Sequence, residues 1–155
     1  MKNLLCILII LAGFFFQGVN AQETQLLTGF VEAVPQSFYG TWRVVSKLDT
    51  TDSAGNFKKS GIDVWNLSRS GDVITLCNVF NGAKAVLKID KADSNYIVFT
   101  KIGKYGFDKL TDKVEIYIDG DTFRGFDTIE LETYNQGKKT AKYKISGEKI
   151  SGELE

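Results

Sequence analysis

The chain has 155 residues, 19 basic and 19 acidic side chains, two cysteines and no histidine, and 43% of its residues are hydrophobic. The missing histidine excludes Ser-His and Cys-His nucleophilic sites and histidine-ligated zinc. The even charge balance, with lysines dispersed along the chain, offers no basic stripe to nucleic acid or an anionic membrane.

The first segment reads as an export signal. Met1-Lys2-Asn3 is a short positive head, Leu4 to Phe16 is a continuous apolar run, and Gln17 to Ala21 ends in small residues. That layout predicts a signal peptide over 1–21, cleaved after Ala21. The run falls short of the ~20 residues a spanning helix needs, and no second apolar run follows, so no membrane span is expected in the mature chain. Export would end in the periplasm or outside the cell. Cys77 is then the lone thiol, so the expected core holds together without an internal disulfide. Residues 22–37, containing the only proline, Pro35, form a leader, and 38–155 a single domain.

Within 38–155 no helical period emerges. Alternating segments rich in Val, Ile, Thr, Phe and Tyr recur, separated by Gly, Asn and Asp, which predicts an all-β fold. Eight strands are expected at 41–49, 62–69, 72–80, 83–90, 95–102, 113–119, 122–134 and 138–146, with a short ninth over 149–154. Four turns set their registers. Ser70-Gly71 as a two-residue loop pairs Leu67 with Ile74 and Trp65 with Leu76. Asn81-Gly82 pairs Phe80 with Ala83 and Leu76 with Leu87. Gly120-Asp121 pairs Ile118 with Phe123 and Ile116 with Gly125. Asn135-Gln136-Gly137, with Gly137 left-handed, pairs Leu131 with Ala141 and sets Glu130 opposite Lys142. All four turns collect the apolar residues on one face. An even number of strands joined by short loops closes into an antiparallel up-and-down barrel, with a two-layer sandwich as the alternative.

Gly40-Thr41-Trp42 heads the first strand. A Gly-x-Trp in that position resembles the first signature of the lipocalins and the wider calycin group of small ligand-binding barrels. The resemblance implies that Trp42 packs across the closed end of the barrel, with Gly40 letting the backbone bend beneath it. It also implies a long first loop, here Thr50 to Gly61, over the open end. That family usually packs an Arg from the last strand over the Trp, whereas only Lys142, Lys144 and Lys149 follow Arg124 here.

The lining carries the functional expectation. Leu48, Trp65, Leu76, Asn78, Phe80, Ala85, Leu131, Thr133 and Tyr143 are expected in the upper half, with Asp127 deeper. An apolar wall with a few polar anchors is how ligand pockets are built. The expected function is therefore non-enzymatic binding of a small apolar or amphiphilic molecule, without cofactor or metal. Gly103-Lys104-Tyr105-Gly106-Phe107 and the first loop are candidate lids. The alternative is an exported protein-interaction module with a filled barrel, using Phe126, Tyr134 and the leader. Asp119 and Asp121 bracket a turn, which turn chemistry explains. Glu130 and Glu132 share one outer strand face, unlike the opposed carboxylates of a glycosidase.

Overall fold

The computed structural model describes residues 30–105, 108–134 and 137–151. The predicted signal peptide, the start of the leader, Gly106-Phe107, Asn135-Gln136 and residues 152–155 lie outside the described residues. Eight strands form a closed antiparallel barrel in chain order: β1 (Gly40–Thr51), β2 (Ser60–Ser70), β3 (Val73–Asn78), β4 (Lys84–Ala92), β5 (Tyr96–Tyr105), β6 (Asp108–Asp119), β7 (Thr122–Thr133) and β8 (Gly137–Ser151). β1 pairs with both β2 and β8, which closes the ring and removes the exposed sheet edges. The expected ninth strand is absorbed into β8 as far as Ser151.

The Gly120-Asp121 turn has the expected register, Ile118 facing Phe123 and Ile116 facing Gly125. The other three slip by two residues. Gly71-Asp72 forms the β2–β3 loop, so Leu67 faces Leu76 and Trp65 faces Asn78. Between β3 and β4 the loop widens to Val79–Ala83, because Asn78 Oδ1 accepts the Phe80 N–H at 2.9 Å and the Gly82 N–H returns to the Asn78 carbonyl at 2.8 Å. At the β7–β8 turn Gly137 has φ 75° and Thr133 faces Gly137. Glu130 therefore sits opposite Thr140 rather than Lys142, and its Oε1 receives Lys138 Nζ at 2.8 Å. Each slip is even, so residues within the paired strands keep their face. The two residues that change place are in the widened loop: Phe80 is 68% exposed and Ala83 is also exposed, not part of the lining.

The inward face is apolar. Leu67, Ile74, Leu87, Ile97, Phe99, Val114, Ile116 and Ile145 are all buried. The outward face carries Arg43, Lys113, Lys142, Lys144 and Glu148, the reverse of the apolar outer band of a lipid-spanning barrel. No helix among the described residues is long and apolar enough to cross a membrane.

One end is sealed by the leader. A 3-10 turn, Gln36–Phe38, buries Phe38, which meets Phe99 edge-on at 5.8 Å. Gly40 then takes φ 119°, a conformation open to glycine, and swings the chain into β1. Trp42 is fully buried, and its Nε1–H donates to the Phe38 carbonyl at 3.0 Å. Lys149 lies over the Trp42 ring at 5.2 Å and donates to the Ser37 carbonyl at 3.0 Å. A lysine on the last strand thus packs its charge against the tryptophan face.

Candidate functional site

A hollow of about 280 Å³ lies inside the barrel toward the opposite end. β1 contributes Val44 and Ser46, β2 contributes Gly61, Asp63 and Trp65, and β8 contributes Tyr143 and Ile145. Across from them stand Lys101 of β5, Asp112 of β6, and Asp127 and Ile129 of β7. Asn56, Phe57 and Lys58 of the β1–β2 loop form the rim. That loop is tethered: Asp52 accepts both the Thr140 N–H (2.8 Å) and its hydroxyl (2.7 Å), and the Tyr143 hydroxyl donates to the Lys58 carbonyl at 2.9 Å. Trp65 backs the hollow, stacked on Phe123 at 6.1 Å, and Phe123 in turn meets Trp42 at 5.2 Å. This aromatic stack separates the hollow from the sealed end.

The polar groups form a band across successive strands. Lys101 faces Asp112 in register, Asp127 faces Val114, and Tyr143 faces Asp127. Lys101 Nζ pairs with Asp112 Oδ2. The other Asp112 oxygen, Oδ1, and Oδ1 of Asp127 are buried without a hydrogen-bond partner among the described residues. Asp112 is 4% exposed and Asp127 8%. Burial, and next the charge of Asp112, push the Asp127 carboxyl up to about 7, while Lys101 pulls the other way. Burial, followed by the charge of Asp127, raises the Tyr143 hydroxyl above its ordinary 10.0. At the rim Asp63 Oδ1 accepts Asn78 Nδ2–H at 2.6 Å.

Of the residues expected from the sequence, Trp65, Asp127 and Tyr143 meet at this hollow. Leu76 is buried on β3 and Ala85, half-buried, faces it from β4; neither lines the hollow. Asn78 reaches the hollow through its bond to Asp63. Leu48 packs against the core, and Leu131 is half-buried above Ile129. Thr133 ends β7, donating to Asp108 Oδ2 at 3.2 Å, and does not line the hollow. Phe80, on its exposed loop, takes no part in the lining. The candidate lid Gly103–Tyr105 belongs to β5, continuing the hairpin with β6. Phe126 and Tyr134 face outward; Phe126 is capped by Lys142 Nζ at 4.1 Å and Tyr134 is 83% exposed.

The residues that the sequence reading misses are Lys101 and Asp112. Asp112 falls outside the expected sixth strand, because Lys109-Leu110-Thr111-Asp112-Lys113 breaks apolar alternation. The signal that exposes it is the inward parity of Val114, Ile116 and Ile118 extended one step back along the strand. Among the described residues no group of three His, Cys, Asp or Glu is gathered to hold a metal ion. Set beside known proteins, the chain matches no family model, no curated protein and no solved structure.

Proposed function

We propose that the protein is an exported, non-enzymatic binding protein that holds a small amphiphilic molecule inside its barrel. The observation that carries this reading is a hollow that combines apolar side chains (Val44, Trp65, Ile129, Ile145) with two buried carboxylates, Asp112 and Asp127, each with one oxygen lacking a partner among the described residues. An unsatisfied buried polar group costs ~1–3 kcal/mol. A sequence optimised only for packing would place apolar side chains at both positions, and a ligand donating hydrogen bonds there offsets the cost. The hollow sits at the lower edge of the ~300–1,000 Å³ usual for small-molecule sites, which favours a metabolite-sized guest over a long-chain fatty acid. Binding free energy would come from apolar surface against Trp65, Val44, Ile129 and Ile145 at ~25 cal/mol per Å². Tyr143, engaged with the Lys58 carbonyl, is an anchor for the loop, not a free acid or base.

Trp65 reports on the site. Titrating the protein with 1-hexanol, hexanoate and hexylamine while following tryptophan fluorescence should give a saturable change with at least one of them. The change should be lost in Trp65→Phe, which leaves Trp42 as the remaining emitter. A flat response to all three amphiphiles refutes the binding reading.

A further inference from the structure

Resting on the binding reading, we propose that the guest carries a protonated amine, and that its ammonium group sits between Asp112 and Asp127. The register sets these two carboxylates on adjacent strands, with Asp112 two residues along β6 from Val114, the partner of Asp127. Diagonal neighbours of this kind lie ~7 Å apart at their backbones, with side chains able to converge. An ammonium nitrogen makes charge-assisted bonds of ~2.8 Å to each carboxylate oxygen and has three donors to distribute. Once both carboxyls turn toward the hollow it satisfies the two together, Asp112 Oδ1 and Asp127 Oδ1 being buried oxygens without a hydrogen-bond partner among the described residues.

Charge points the same way. With both carboxylates ionised, the cluster holds two negative charges against the single positive charge of Lys101, and Lys101 already occupies Asp112 Oδ2. A carboxylate or phosphate guest would add to that excess. A neutral alcohol has one donor for two acceptors and leaves the charge uncompensated. A divalent metal takes six or more oxygens in the Ca²⁺ case, beyond what this pair provides. A monocation with several N–H donors and a short apolar tail fits the remaining conditions, its tail lying along Val44, Trp65 and Ile129.

The ammonium and a proton then compete for the same carboxylate. The groups facing Asp127 are Lys101 on β5, Asp112 on β6 and Tyr143 on β8, with Asp63 of β2 across the hollow and Lys58 on the rim loop. With the carboxyl titrating at about 7, about nine-tenths is ionised at pH 8 and about one-thirtieth at pH 5.5, so hexylamine affinity should fall about 30-fold between them. Binding at pH 7 should release about half a proton per hexylamine.

The test is calorimetric titration of the purified protein with hexylamine, 1-hexanol and hexanoate at pH 5.5, 7 and 8, in two buffers of different ionisation enthalpy. Hexylamine should bind at least tenfold tighter than 1-hexanol at pH 8, with the pH fall and the proton release just given. Asp127→Asn should lose the preference for hexylamine over 1-hexanol and the pH dependence. Equal affinities for hexylamine and 1-hexanol, or tighter hexanoate binding, overturn the ammonium assignment and leave the binding reading standing. No heat with any of the three overturns both. The buffer comparison uses the unaltered chain, so it decides the matter even where Asp127→Asn fails to fold.

Discussion

Replacing Asp127 by asparagine should stabilise the empty barrel at alkaline pH and do far less at acidic pH. In the folded chain this carboxyl titrates at about 7 against an ordinary 3.8, with burial as the first cause. Between those values the folded state holds a proton that the unfolded chain has released, so stability falls as pH rises from about 4 through 7. At ~1.4 kcal/mol per pH unit the loss amounts to about 4 kcal/mol. The substituted amide has no charge to desolvate, so the stability gap between Asp127→Asn and the unaltered chain should widen by a value of that order between pH 4.5 and pH 8. Urea unfolding followed by circular dichroism, at both pH values and for both chains, measures the gap. Any pH-independent effect of the amide, such as an imperfect hydrogen bond, cancels in the difference between the two pH values. A gap that stays constant within ~0.5 kcal/mol would refute the account of Asp127 as a carboxyl held against its preference for water.

Three further outcomes follow from particular contacts. Gly125→Ala places a Cβ 1.8 Å from the Glu115 carbonyl oxygen and 2.9 Å from Ile116 Cα; because both are backbone atoms of β6, thermal unfolding should show a loss of ~3 kcal/mol or more. Lys101→Met removes the cation paired with a carboxylate that is 4% exposed, and urea unfolding at pH 8 should report a loss of ~3 kcal/mol. Phe80→Ser, on an exposed loop, should change stability by less than ~0.5 kcal/mol and leave hexylamine affinity unaltered. A tenfold loss of affinity there would return Phe80 to the site from which the structure removes it.

The architecture is legible because a strand's side chains alternate with a period of two, and an error of two residues preserves that alternation. Three hairpin registers lie two residues from the expected pairing, yet Trp65, Leu67, Ile74 and Leu76 all keep their inward face. What escapes the sequence is set by local polar bonding: Asn78 captures the Phe80 N–H with its own side chain, which expels Phe80 and Ala83 from the ladder. The site is harder to read than the fold for a related reason. Apolar alternation finds the core, and a binding residue is often one that departs from it. Asp127 is recognisable because Phe123 and Ile129 flank it in phase. Lys101 looks like another solvated lysine, and Asp112 like the end of a loop. The pairing of β5 with β6 and of β6 with β7 is what turns three isolated charges into one group.

The leader gives the barrel a floor. Phe38 and Trp42 fill the base, Arg69 reaches the Val31 carbonyl at 3.3 Å, and Lys149 ties down Ser37. With the base corked, traffic to the interior is directed through the far mouth, past Phe57 and Lys58. On the proposed binding function, residence time and selectivity would be separated in the chain. Changes to the tether between Asp52 and Thr140 should then alter how fast a guest enters and leaves, while changes to the carboxylates deeper in the vessel should alter which guest stays.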